Sequence, residues 1–295
     1  MEIGVNLSFA VKRWLKPSEL AKICKNELSV SKVQFTWDLI DPWWPDAQRN
    51  ELAHEYRKEF SKQGIEISSS FGGVASYTYS QLLSPTTLQR EISFEFFKRA
   101  VDLTVELGAD VMGTPIGGMS NEDSSNPETR KLLYYTALDY IRRLAVYGKQ
   151  KGLKEILIEA TPLISEFPHS PEESQKMMKD LDNTTDIPVR LLIDWGHALF
   201  KPLLKNQADM ELWLKKCSPY VSCIHLQQTD GVWDRHWDFT KEGIVTGELI
   251  KKTLKNSGSM NIPQYLEVVT IFEDNDEDVL DRMKKSMKIL HEMLD

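Results

Sequence analysis

The chain has 295 residues, 41% hydrophobic and 27% charged, a composition that excludes a disordered or membrane-embedded polypeptide and leaves one or two domains open. Thirty-six Lys plus Arg against forty-four Asp plus Glu give a net charge of −8, which opposes a nucleic-acid partner unless basic groups gather on one face. Cys24, Cys217 and Cys223 form no Cys-x-x-Cys pair and are poor material for a disulfide framework or a thiolate zinc site. With neither a basic leader nor a long apolar run near Met1, the expectation is a cytoplasmic protein with no membrane contact.

From residue 3 onward, short apolar and β-branched runs alternate with longer segments of helical period, the pattern of βα units around a parallel sheet. The first strand is predicted over Ile3–Phe9, and Pro17-Ser18-Glu19 opens its helix with proline suited to the first turn. Strands two and three are predicted over Lys32–Trp37 and Ile65–Phe71. The helix after the third carries Leu88, Ile92, Phe96, Leu103 and Leu107 on one face, expected to be buried. Strand four, Asp110–Thr114, precedes a helix with Leu133, Ala137, Tyr140, Ile141 and Leu144 on one face. Strand five, Glu155–Glu159, leads to Ser170-Pro171-Glu172-Glu173, a capping residue followed by proline and acids. Strands six and seven are predicted over Arg190–Asp194 and Ser222–Leu226, with the shortest helix near Asp209–Cys217 between them. Strand eight, Gln264–Val269, and a last helix from Val279 to Leu294 complete the series. Gly64, Gly108, Gly152 and Gly258 stand where helices close in a left-handed cap.

Eight units in 295 residues is about 37 residues each, with no Pro/Ser-rich linker between them. The expected fold is α/β, a single (β/α)8 TIM barrel occupying residues 1–295. A doubly wound sheet would carry a Gly-rich phosphate turn after its first strand, and Asn6-Leu7-Ser8-Phe9-Ala10 has none.

In such a barrel the C-terminal ends of the strands converge on one mouth. Strand five ends in Ile158-Glu159-Ala160, strand six in Ile193-Asp194-Trp195-Gly196-His197, strand seven in Ile224-His225-Leu226, and strand eight contains Leu266-Glu267-Val268. Three carboxylates and an imidazole at one rim suit a divalent cation such as Mn2+, Co2+, Mg2+ or Zn2+. Any one of them alone could instead pair with a neighbour or cap the next helix.

The order Glu159, Asp194 with His197 three residues on, His225, then Glu267 resembles the sugar isomerase/epimerase family with a xylose isomerase-like barrel, which includes the ketose 3-epimerases. Two stretches, Glu159 to Pro168 and His225 to Trp237, are similar to erythrulose-phosphate epimerases and isomerases. The resemblance implies a divalent metal held by Glu159, Asp194, His225 and Glu267, with His197 reaching a substrate oxygen. Ketose 3-epimerases place a second substrate-binding glutamate six residues after the first, whereas here Ser165 is at six and Glu166 at seven.

The chemistry expected of that ligand set is removal of a proton beside a ketose carbonyl through a cis-enediolate. With Glu159 and Glu267 as catalytic bases on opposite faces of the sugar, proton return inverts the carbon; return on the same face to the neighbouring carbon would isomerise aldose and ketose. Asn6, Trp37 and Phe71 are further candidates for substrate contact, with packing as the alternative for the aromatics. Arg235 and His236 place positive charge after strand seven, where a phosphorylated sugar would use it, unless Asp230, Asp234 and Asp238 neutralise them. The expected partner is therefore a small sugar phosphate, with homo-oligomerisation left open. A multi-zinc abasic-site endonuclease on the same barrel would need more His and Asp at the rim and a basic face. A non-catalytic sugar-binding barrel would not need both glutamates.

Overall fold

The computed structural model describes residues 3–294. Eight parallel strands close into a barrel in chain order: β1 (Ile3–Asn6), β2 (Lys32–Thr36), β3 (Glu66–Phe71), β4 (Val111–Thr114), β5 (Glu155–Ala160), β6 (Val189–Asp194), β7 (Val221–Leu226) and β8 (Gln264–Leu266). The last strand returns to the first through Ile3↔Gln264, Gly4↔Tyr265 and Val5↔Leu266, so no edge is left unpaired. The principal helix of each unit packs outside: α1 (Pro17–Lys22), α2 (Asp46–Lys62), α3 (Thr87–Glu106), α4 (Pro127–Lys151), α5 (Pro171–Leu181), α6 (Met210–Cys217), α7 (Gly247–Ser257) and α8 (Asp276–Leu294). No described helix is long and apolar enough to cross a membrane.

The strand period of two divides each strand between two cores. Phe71, Leu157, Leu192, Cys223 and Tyr265 pack together as one cluster inside the barrel. Their neighbours Ile156, Ile158, Leu191, Ile193 and Ile224 point the other way and join the larger core beneath the helices. Continuing the inward row by two residues from Leu157, Leu192, Cys223 and Tyr265 reaches Glu159, Asp194, His225 and Glu267.

Local signals act largely as expected. Ser170 caps α5, its side chain accepting from Glu173 N, and Gly64, Gly108, Gly152 and Gly258 all have positive φ. The α4 stripe from Leu133 to Leu144 is buried. Three expectations are corrected. β1 ends at Asn6 rather than Phe9, because the Asn6 side chain accepts from Ser8 N and caps a 3-10 turn over Leu7–Ala10. β8 ends at Leu266, although Glu267 N still donates to Leu226 O at 2.9 Å and keeps its inward register. In α3, Leu88 and Ile92 are 72% and 52% exposed, while Phe94, Phe97, Val101 and Thr104 form part of the buried face. Phe94, Phe97, Val101 and Thr104 recur at spacings of three and four, so the face of α3 that meets the barrel is theirs, and Leu88 and Ile92 lie off it.

Gly152 closes α4 at φ 94°, and a Cβ there would meet nothing within 4 Å. Gly152→Ala should therefore cost only the left-handed conformation, about 1–2 kcal/mol, read as a lower urea midpoint with an unchanged slope.

Candidate active site

Each of the four strand-end residues is both a continuation of the interior row and a buried polar group that must find partners. Asp194 shows how one side chain serves two purposes. Its Oδ1 accepts from the backbone N–H groups of Gly196 and His197, capping the short helix Trp195–Ala198, and from Gln227 Nε2 at 2.7 Å. Its Oδ2 is buried without a hydrogen-bond partner. Capping of the next helix and a free ligand oxygen are thus compatible in one carboxylate.

His225 lies on β7 beside Asp194 in strand register. Its Nδ1 faces Glu267 Oε2 at 2.9 Å and Glu159 Oε1 at 3.5 Å, while Nε2 stands 2.7 Å from Gln34 Oε1. The Phe71 ring packs edge-on against the imidazole at 4.8 Å between centroids. Glu159 Oε1 and His225 Nδ1, like Asp194 Oδ2, are buried without a hydrogen-bond partner.

Ligand-type atoms of Glu159, His225 and Glu267 lie within 4.8 Å of one another, as do those of Asp194, His236 and Glu267. Glu267 belongs to both groups and links all four expected ligands. A third group, His197, Asp234 and His236, meets the same distance limit. Oxygen and imidazole donors with unpartnered buried atoms suit a divalent cation of the first transition row, or magnesium.

His197 is held by its own backbone surroundings: Nδ1 lies 3.0 Å from Ala160 O, and Nε2 3.1 Å from Asp234 Oδ2. His236 sits at φ 45°, with Nε2 3.2 Å from Asp234 and Nδ1 3.4 Å from Glu267 Oε2. The positive-φ backbone sets this imidazole beside the carboxylates while it still lines the cavity. The sequence offered His236, with Arg235, for a substrate phosphate and Asp234 as a neutralising partner, and it did not place His236, Asp234 or Gln34 in the ligand cluster. The Asp234-Arg235-His236 spacing was the available signal for the first two; nothing local marks Gln34.

The remaining candidates separate by strand parity. Phe71 lines the cavity above the cluster, together with Thr36, Glu159, His197, Arg235 and Glu267. Trp37, one residue beyond Thr36, faces outward: it is 2% exposed, its indole N–H donates to Ser70 Oγ at 3.0 Å, and its ring packs on Phe96 and Phe97. Trp43 and Trp44 are about half-exposed, Trp43 lying against Phe96 and Arg99. Asn6 is buried, donating through Nδ2 to Gln34 Oε1 at 2.7 Å and Glu267 Oε1 at 3.1 Å, and it is not among the cavity-lining residues. Arg235 lines the cavity with Nε and Nη2 on Asp230 Oδ2 at 2.9 and 2.6 Å and its guanidinium over Trp237. Glu166 is buried, accepts from Tyr77 O–H at 3.0 Å, and has Oε2 without a hydrogen-bond partner.

Burial and mutual charge pull these groups apart. Burial raises Glu159 and Asp194 above the ordinary carboxylate range. Burial also opposes ionisation of Glu267, but the imidazoles of His225 and His236 outweigh it and hold that carboxyl well below its usual value. For His225, burial favours the neutral ring, yet Glu267 and Glu159 overcome it and push the imidazole up to about 10. For His197 the same opposition is won by Asp234 and Asp194, again to about 10. Two glutamates at one cavity thus start from opposite protonation tendencies, an arrangement suited to paired acid and base work.

The fold matches known proteins. A family model described as the xylose isomerase-like TIM barrel matches residues 30–293. D-erythrulose 1-phosphate 3-epimerase of Brucella abortus is 22% identical over 296 aligned residues, covering 97% of this chain and 94% of its own. A crystal structure from Rhodospirillum rubrum, provisionally assigned as a xylose isomerase, shares 44% identity, covers 99% of both chains and superposes with a TM-score of 0.97. D-psicose 3-epimerase from Clostridium cellulolyticum superposes over 100% of both chains with a TM-score of 0.72 at 13% identity, a likeness of fold alone. The closed barrel and the family match over most of its length place the chain in the xylose isomerase-like TIM-barrel family, whose relatives here are sugar epimerases and isomerases.

Proposed function

We propose that the protein is a divalent-metal-dependent 3-epimerase of a short ketose phosphate, erythrulose 1-phosphate in D or L form being the expected substrate. The observation that carries this reading is the buried ligand-type cluster at and beneath the cavity, in which Glu159 Oε1 and Asp194 Oδ2 have no hydrogen-bond partner and His225 Nδ1 faces Glu267 Oε2 at 2.9 Å. The likeness to a D-erythrulose 1-phosphate 3-epimerase supports the substrate class. So does the cavity volume of about 300 Å3, at the small end of the roughly 300–1,000 Å3 typical of small-molecule sites.

Glu159, Asp194, His225 and Glu267 would hold the metal, which when bound supplies positive charge that acidifies the carbon beside a ketose carbonyl. His197, on the cavity wall, would reach a substrate oxygen through Nε2 in exchange for its present contact with Asp234 Oδ2 at 3.1 Å. Glu159 and Glu267, the two glutamates that line the cavity, would act on opposite faces of the sugar, one taking the C3 proton and the other returning one. Phe71 and Pro115 line the same space and limit water beside the exposed carbanion.

Solvent deuterium should enter C3 of the ketose phosphate, read by NMR, as optical rotation falls toward that of the D/L mixture. Glu159→Gln and Glu267→Gln, checked for metal occupancy, should each lower turnover by at least 100-fold, since an amide offers an oxygen but takes no proton. The Rhodospirillum relative favours a second reading, an aldose–ketose isomerase. With a ketose bearing a free C1 hydroxyl, that reaction would yield an aldose deuterated at C2 and return ketose deuterated at C1.

The phosphate contact is assigned to Arg235, the lining cation that is not an imidazole among the described residues. Arg235→Ala should raise KM for the phosphorylated ketose about tenfold or more, the scale of a lost charge-assisted hydrogen bond, and barely change it for the free sugar. Equal impairment of both substrates would leave Arg235 as the ion-pair partner of Asp230.

Metal affinity should rise with pH. His225 is held protonated up to about 10, so Nδ1 must release a proton before it can serve as a ligand, and acid favours the protonated, metal-free form. The apparent Kd for Zn2+ should fall about tenfold per pH unit between pH 6 and 8, with matching proton release in calorimetry across buffers of different ionisation enthalpy. A flat profile would remove His225 from the ligand set.

A further inference from the structure

Gln34 of β2 touches the ligand cluster from below the cavity and is fully buried. Its Oε1 accepts from Asn6 Nδ2 at 2.7 Å and stands 2.7 Å from His225 Nε2, while its own Nε2 donates to Ser69 Oγ at 3.2 Å. The irregularity between Val33 and Gln34 is what sets Gln34 opposite Ser69 in the β2–β3 register. None of these contacts involves the cavity lining, so substrate binding does not explain them.

The orientation of each amide follows from the one before it. Ser8 N–H donates to Asn6 Oδ1 at 2.9 Å, a backbone donor that cannot be reversed, so Asn6 Nδ2 must be the atom facing Gln34 and Glu267. An N–H group facing Gln34 requires its oxygen there, since a flipped amide would oppose two donors. That oxygen can only accept, so at 2.7 Å the facing nitrogen of His225, Nε2, carries the hydrogen. Nδ1 then becomes the ring nitrogen free to lose its proton, and it is the one directed at Glu267 Oε2 and Glu159 Oε1. The same Asn6 amide group holds Glu267 Oε1 at 3.1 Å, turning Oε2 toward His225.

We infer that the Ser8–Asn6–Gln34 relay fixes the His225 tautomer and makes Nδ1 the metal-binding atom, with Gln34 a positioning residue that contacts neither metal nor substrate. The relay rests on the metal site proposed above. Neutral amides suit the task because they orient a ligand without adding charge to an already crowded cluster, and loss of such a partner typically weakens metal affinity 10–100-fold.

The test uses Zn2+ as probe. In zinc-loaded wild type, long-range 1H–15N correlation spectra should show His225 with Nε2 protonated and Nδ1 metal-bound. Gln34→Met, close in size but without an acceptor, should weaken Zn2+ binding by about 10–100-fold and lose the slowly exchanging Nε2–H signal. Gln34→Glu keeps the acceptor and should bind Zn2+ as tightly as wild type or tighter. Zinc on Nε2 in the wild type, or unchanged affinity in folded Gln34→Met, overturns the relay while leaving the metal site intact. The wild-type spectrum decides the matter even if Gln34→Met does not fold. A wild type that takes up no zinc overturns the metal site itself, and the relay with it.

Discussion

Glu159, Asp194, His225 and Glu267 are taken out of water by the strands that bring them together. Each stands two residues beyond an interior apolar residue, Leu157, Leu192, Cys223 or Tyr265, and so inherits the inward direction of that row. The barrel interior below is packed, leaving these groups at its upper limit with little solvent to stabilise charge. Their protonation is therefore set by one another: imidazoles hold Glu267 ionised, carboxylates hold His225 and His197 protonated, and Glu159 is left raised by burial. A cation in this space would replace shared protons, which is why the unpartnered ligand atoms and the shifted ionisations are two expressions of one arrangement.

Around that cluster the orienting groups are chiefly amides and backbone, with Asp234 the added carboxylate that holds His197 and His236. Gln227 donates to both Asp194 at 2.7 Å and Asp234 at 3.0 Å, and its carbonyl accepts from His236 N. Gly196 packs so closely on Gln227 that an added Cβ would lie 2.5 Å from the amide carbon. With Asn6 and Gln34 on the other side, carboxylates and imidazoles are fixed from below and from the flank, while the substrate face stays open. Each amide supplies direction at no cost in net charge, which matters where four ionisable groups already share one small volume.

The segment after β7 forms one wall of the mouth. Gln228 and Trp237 pair in an isolated antiparallel bridge, so residues 229–236 form a loop returning to the mouth. Asp230 anchors Arg235, Asp234 spans His197 and His236, and His236 N is tied to Gln227. Positive charge on this loop is thereby distributed: the imidazole joins the carboxylate cluster and the guanidinium stays at the rim.

The fold was legible from alternation, caps and glycines because these are local: period-two rows, Ser170 before Pro171, and left-handed Gly152 need only their neighbours. The rim residues Glu159, Asp194, His225 and Glu267 could be chosen from sequence for the same reason, each ending an apolar run. What the tertiary structure decided was everything one residue of register or one turn of helix could reverse. Trp37 faces the helices because Thr36 faces the cavity, and the face of α3 that packs inward leaves Leu88 and Ile92 exposed. His236 joins the cluster through a positive φ that no composition rule foretells, and Gln34 meets His225 from 191 residues away in the chain. Side-chain chemistry is written in the sequence, but partners across a closed barrel are fixed only when strand pairing sets which atoms share a rung.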